Sequence, residues 1–237
     1  MADTKVLYLV PGLLCDETIW SHQIAGLHRS DLETRVADLT GQDSITAMAQ
    51  TVLADAPEHF ALAGHSMGAR VALEIVRMAP ERVERLALLD TGVHPQRLGE
   101  AESRGALVAL ARAEGMGALA AKWLPPMVHP DRVSDRALMD ELTAMVQRKS
   151  VETFERQVRA LLDRPDARAV LDGIRCPVLI GVGRQDSWSP PSQHETMAAA
   201  IPKAHPVIFE NSGHMAPIEA PSAVTAALDA WLTEPAA

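Results

Sequence analysis

The sequence predicts an α/β protein with a mostly parallel central sheet and helices on both of its faces. Two observations lead there. Short β-rich runs alternate with helical periods along most of the 237 residues, the pattern of strands covered on both sides by crossover helices. One junction is especially compact: Phe60 to Ala63 runs straight into Gly64-His65-Ser66-Met67-Gly68 and then into an apolar-periodic tract, so strand, sharp turn and helix follow in succession.

The first strand, Lys5 to Val10, follows a polar start and is too short for a signal peptide or a membrane span. Thr34 to Ala37 is the second. Ile45, Met48, Ala49, Val52 and Leu53 then mark an apolar helical stripe behind a cap at Asp43. Beyond Ser66, Val71, Ala72, Ile75 and Val76 share one face and Arg70, Glu74 and Arg77 the other, until Pro80 stops the helix. Leu86 to Leu89, Pro177 to Val182 and Pro206 to Phe209 are further strands, and Val224, Ala227, Leu228, Trp231 and Leu232 stripe a closing helix after Pro221. Between about His94 and Asp172 the strand rhythm stops, and Phe154, Val158, Leu161 and Leu162 line one face of successive helical patterns broken at Pro125-Pro126 and His129-Pro130. The expected organisation is a core of residues 1–93 and 173–237 with an inserted helical cap, 94–172, of two short helical hairpins.

Composition narrows the function classes. An apolar content of 47% supports a full hydrophobic core. The formal charge of -9 disfavours nucleic acid and anionic membrane as partners, since either calls for a basic surface. Cys15 and Cys176 lie far apart beside strands, which suits reduced, buried thiols in a cytoplasmic protein and implies neither a disulfide framework nor a metal site.

A serine between two glycines at a strand-to-helix turn is a nucleophile candidate, because a strained turn there lifts the hydroxyl clear of the sheet and aims the first helical amides at a bound oxygen. A base and an orienting acid follow at other strand ends: Asp186 after the strand that ends near Gly183, and His214 after the one that ends at Phe209. Asp90, at the end of the strand after the turn, is a rival acid. His65 reads as a packed neighbour beneath the turn rather than a second base, since alternation points it away from Ser66. Cys15 reads as a small buried side chain.

Three motifs together resemble the α/β-hydrolase superfamily: Gly64-His65-Ser66-Met67-Gly68 its nucleophile elbow, Gly181-Val182-Gly183-Arg184-Gln185-Asp186 its acid turn, and Ser212-Gly213-His214-Met215-Ala216-Pro217-Ile218-Glu219-Ala220-Pro221 its histidine loop. The chain is most similar to small capped esterases and to enol-lactone and carbon–carbon bond hydrolases. The resemblance implies a triad of Ser66, His214 and Asp186, in the family's chain order, with the N–H groups of Leu13 and Met67 as the oxyanion hole. One departure stands in the oxyanion loop, where Pro11 precedes Gly12 and relatives usually carry histidine.

The activity so implied is hydrolysis of small to medium acyl esters through an acyl-enzyme, without metal or organic cofactor. An enol-lactone or carbon–carbon bond hydrolase would use the same triad, and a non-catalytic ligand-binding member of the fold is a third reading. Candidate pocket residues are Leu14, His94, Trp123, Trp188 and Met215. A cap rich in Ala, Leu and Met leads us to expect an aliphatic pocket of modest size.

Overall fold

The computed structural model describes residues 5–233. Its strands are β1 (Lys5–Val10), β2 (Leu32–Val36), β3 (Phe60–His65), β4 (Val83–Leu89), β5 (Val178–Gly183) and β6 (Ala204–Phe209). They form one sheet in the order β2-β1-β3-β4-β5-β6, and every pairing is parallel. A parallel sheet must be covered on both faces, which is why β3 and β5 are buried from end to end while the edge strands β2 and β6 are half exposed.

Helices make the connections. α1 (Ser21–Gly26) joins β1 to β2, α2 (Ile45–Asp55) leads to β3, and α3 (Met67–Met78) leads to β4. Between β4 and β5 come α4 (Glu100–Trp123), α5 (Arg136–Gln147), α6 (Val151–Leu162) and the short α7 (Arg168–Leu171). α8 (Pro191–Ala200) precedes β6, and α9 (Ala216–Glu219) and α10 (Pro221–Thr233) follow it. The closing helix is tied to the sheet by Trp231, whose indole N–H donates to the Pro177 carbonyl at 3.3 Å and whose own carbonyl accepts from Arg85 at 2.9 Å.

The boundaries differ locally from the expected ones. The second strand begins at Leu32, and Ser44 rather than Asp43 caps α2, its side chain accepting from the Ala47 N–H at 3.1 Å. Serine in extended backbone one residue nearer the apolar stripe satisfies the orphan amide directly. In the segment between β4 and β5, α4 consists of two helical stretches separated by extended, left-handed backbone at Gly115 (φ 84°, ψ 176°), and 3₁₀ turns at Pro125–Met127 and Pro130–Arg132 follow it. α5 and α6 both pack against α4, and they are joined through Ser150, which caps α6 by accepting from the Thr153 N–H.

Strand order fixes where chemistry can gather. The chain leaves β1 for β2 on one side and then crosses to β3 on the other. The carboxyl ends of β1 and β3 therefore flank the switch point, the crevice in which open α/β sheets bind ligands.

Candidate active site

Ser66 sits directly after β3 with φ 55° and ψ −113°, a backbone region that L-residues avoid. Its N–H donates to the Leu89 carbonyl at 2.9 Å, which ties the turn to the end of β4. The flanking glycines are forced by proximity. A Cβ on Gly68 would lie 2.1 Å from the Val10 carbonyl oxygen, and one on Gly64 would lie 2.5 Å from the Ala69 Cα. Only a hydrogen fits at either position.

His214 is carried by the loop after β6 and is held there from two sides. Its N–H donates to the Met127 carbonyl at 2.7 Å. The buried carboxylate of Glu219 accepts from the N–H groups of Gly213 (2.9 Å), Met215 (3.2 Å) and His129 (2.6 Å), so one side chain fastens the histidine loop to the helical segment. Nδ1 of His214 lies 2.7 Å from Asp186 Oδ2, and Nε2 lies 2.8 Å from Ser66 Oγ. With Nδ1–H donating to Asp186, Nε2 is left as the acceptor for the serine proton. The other oxygen of Asp186 accepts from the N–H groups of Trp188 (2.8 Å) and Ser189 (2.9 Å). Burial alone would raise its pKa, but His214 and the two amides outweigh it and hold the carboxyl below the usual carboxylate range.

The rival acid is placed differently. Asp90 accepts from the Gly183 N–H at 2.9 Å through Oδ1, and Oδ2 has no hydrogen-bond partner among the described residues. Burial, and then the nearby Asp186 charge, push its pKa well up. His65 stands under the histidine loop with Nε2 2.8 Å from the His214 carbonyl, to which it donates. Burial and then His214 pull its pKa down to about 3, so the ring is neutral.

Leu13 and Met67 face the same cavity as Ser66. The Leu13 N–H meets no acceptor among the described residues, and Met67, as the first residue of α3, has an amide without an intrahelical partner. Leu14 corrects the expectation made for it. It is fully buried in the core at φ 59°, does not line the cavity, and donates its N–H to Gln157 Oε1 at 2.8 Å. Gln157 from α6 also donates to the Leu39 carbonyl at 3.1 Å, so this buried amide braces the loop after β1. Sequence reasoning passed it over, since a glutamine on an amphipathic helix carries no signal of what lies opposite.

The cavity above Ser66 has a volume of about 420 Å³, within the range of small-molecule sites. His94, Trp123, Trp188 and Met215 all line it. So does Cys15, whose thiol is pushed up to about 12 by burial and by Asp16 and is no nucleophile at neutral pH. Cys176 is half-buried rather than buried. The expectation of an aliphatic pocket is overturned on one side. Beside Leu107, Met127 and Leu161, four arginines and a glutamate reach the wall, brought there by α3, the segment before α4, α4 itself and the loop after α6, whose meeting no local pattern announces. No helix among the described residues is long and apolar enough to cross a membrane.

Residues 7–228 match the model of the Alpha/beta hydrolase family. Among solved structures, the chain is similar to a thermophilic esterase from Thermogutta terrifontis, described as malate bound, at 28% identity and a TM-score of 0.87, over 97% of this chain and 90% of that one. It is similar in fold to the enol-lactonase from Burkholderia xenovorans LB400, with a TM-score of 0.87 and 24% identity over 98% of this chain and 93% of that one. Among curated proteins, "Putative carbamate hydrolase RutD" of Escherichia coli O26:H11 is 24% identical over 248 residues, 96% of this chain and 91% of that protein.

Proposed function

The chain belongs to the alpha/beta hydrolase family, and we propose that within it this protein is a serine hydrolase acting on carboxylic esters of small to medium acids. One observation carries the reading: a continuous hydrogen-bond chain runs from Ser66 Oγ through both ring nitrogens of His214 to Asp186, at 2.8 and 2.7 Å. It opens on a cavity that Leu13 and Met67 also line.

In the proposed reaction Ser66 Oγ attacks the ester carbonyl carbon while its proton passes to His214 Nε2. The carbonyl oxygen becomes an oxyanion beside the N–H groups of Leu13 and Met67, and the first turn of α3 adds its positive dipole end. Collapse breaks the carbon–oxygen bond, and His214 returns its proton to the leaving alcohol. Water then attacks the acyl-enzyme, gives its proton to His214, and the acid departs as Ser66 Oγ takes that proton back. Asp186, anchored by two backbone amides, holds the imidazole in the tautomer this sequence needs and stabilises the imidazolium. The helical segment 94–172 serves as the cap over Ser66.

The proposal is tested with nitrophenyl esters of increasing acid length. Each methylene that fits adds about 0.8 kcal/mol until the cavity is full, so efficiency should peak at an acid of about two to eight carbons and vanish in Ser66→Ala. A steady climb towards long chains would contradict the small-ester reading. Rapid enol-lactone, carbamate or carbon–carbon cleavage without any ester turnover would move the same residues to another substrate class.

A further inference from the structure

Arg70 on α3, Arg97 before α4, Arg104 within α4 and Arg164 after α6 all reach the cavity that holds Ser66. Glu100 is the one carboxylate among the described residues lining it. That carboxylate is already shared. Arg164 donates to it from both terminal nitrogens at 2.8 and 2.7 Å, and Arg104 donates from Nε at 2.8 Å. Arg164 also bridges the carbonyls of His94 (3.1 Å) and Pro95 (2.9 Å), so its role in holding the loop before α4 is structural.

Arg70 and Arg97 are not accounted for in that way. Arg70 uses one terminal nitrogen on the His94 carbonyl at 2.9 Å, and Arg97 meets Glu100 only through its backbone N–H at 3.0 Å. Neither guanidinium has a carboxylate partner among the described residues. Burial, and then the crowding of Arg164, Arg104 and Arg97, pull Arg70 down to about 9, which still leaves it cationic at neutral pH. In a chain of formal charge -9, concentrating cations in a cleft disfavours the empty site and draws in anions. Arg70 also stands in the first turn of α3, just beyond the nucleophile candidate, and its N–H donates to the Ser66 carbonyl at 3.4 Å.

We propose that Arg70 and Arg97, flanked by Arg104, form an anion subsite and that the substrate is an ester carrying a free carboxylate. The proposal rests on Ser66 being the nucleophile of an ester hydrolase and adds which esters it selects. A guanidinium fork matches the planar carboxylate with two parallel hydrogen bonds, and neither Arg70 nor Arg97 spends its guanidinium on a carboxylate among the described residues. Glu100 then has a second task. By absorbing the charge of Arg164 and Arg104 it keeps the cluster from self-repulsion while leaving the other two arginines for the ligand.

The experiment compares matched ester pairs. The carboxylate is on the acid in mono(4-nitrophenyl) glutarate against 4-nitrophenyl pentanoate, and on the leaving group in 4-acetoxybenzoate against phenyl acetate. In the unaltered protein, kcat/KM should favour the charged member of at least one pair by about 10- to 100-fold, the factor of one charge-assisted hydrogen bond. Arg97→Gln should reduce that ratio and Arg70→Gln/Arg97→Gln should abolish it. Absence of a preference in both pairs, or a preference that survives in Arg97→Gln and in the double variant, would overturn the subsite. Glutarate and inorganic phosphate are then titrated calorimetrically into Ser66→Ala protein, which needs no turnover. Glutarate should bind, and the added arginine changes should remove the binding. Phosphate binding without glutarate binding would overturn the carboxylate assignment. Arg-dependent glutarate binding in a protein without esterase activity would leave the subsite standing and remove the nucleophile reading, whereas turnover of neutral esters without glutarate binding would do the reverse.

Discussion

Two aspartate–histidine pairs lie beside each other at the carboxyl ends of the strands, and they are built to opposite ends. Asp186 lies in the turn after β5, where the backbone supplies two amides to one oxygen, and His214 supplies a third donor to the other. Asp90 receives one amide, from Gly183, and its second oxygen stands 3.8 Å from His65 Nε2, which donates instead to the His214 carbonyl. Both carboxyl groups are buried. Burial raises both, but at Asp186 the histidine and two amides outweigh it and hold the carboxyl below the usual carboxylate range, whereas at Asp90 burial and then the Asp186 charge outweigh the single amide and push it well up. These directions favour Asp186 as the charged partner of His214 and Asp90 as the neutral group beneath it.

The largest effect should come from the ends of the bonded pair. Ser66→Ala and His214→Ala should each remove most turnover, on the order of 10⁶-fold, and the double variant should lose little more, because the residues act as one unit. Turnover in Ser66→Ala above a tenth of the unaltered rate would break the comparison at its base. Next come the two acids. Asp186→Asn should depress kcat by about 10⁴-fold through the wrong imidazole tautomer, while Asp90→Asn, which keeps the acceptor for Gly183, should stay within about tenfold. Reversed outcomes would exchange the roles of the pairs.

A smaller loss is expected at the brace of the loop after β1. Gln157→Leu leaves the buried Leu14 N–H and Leu39 carbonyl without their partner, at about 1–3 kcal/mol. Its kcat for nitrophenyl esters should fall by about 10-fold while the fold, read by circular dichroism, persists. No change in kcat would mean that the loop is held by its turn alone.

The smallest effect sharpens the contrast between the acids through stability. Folded Asp90 keeps a proton that the unfolded chain releases above its ordinary value of 3.8. Its contribution to stability is therefore full below that value and declines as pH rises towards the folded pKa. The side-chain amide introduced by Asp90→Asn has no such proton to release, so the melting temperature of that variant relative to the unaltered protein should rise between about pH 4 and pH 7, by at least about 2 °C if 1 kcal/mol is at stake. A difference flat across that range would mean that Asp90 is ionised in the fold.

What was legible in the sequence was local. Gly64 to Gly68 gives the strained turn because the glycines, the preceding strand and the following helix are contiguous, and Asp186 and His214 are legible because parallel strands deliver loops to one edge. The six strands follow from the same apolar runs. What stayed hidden depends on segments distant in the chain. Gln157 reaches Leu14 from α6, Glu219 reaches His129 across the histidine loop, and Arg164 meets Glu100 and Arg104 only once the helical segment folds back. None of these carries a spacing signal, and Leu14, adjacent to the cavity-lining Leu13 in sequence, turns its side chain into the core.

The central claim is that Ser66 becomes acylated, and capture of that intermediate tests it most directly. The protein is mixed with a nitrophenyl ester, quenched in acid within the first turnover, and its intact mass and Ser66-containing peptide are read by mass spectrometry. The account predicts a mass increase of one acyl group, located on Ser66, absent from Ser66→Ala, and accumulating further in Asp186→Asn if deacylation is slowed more than acylation. Turnover with no adduct on Ser66, or an adduct on another side chain such as Cys15 that persists in Ser66→Ala, would contradict it.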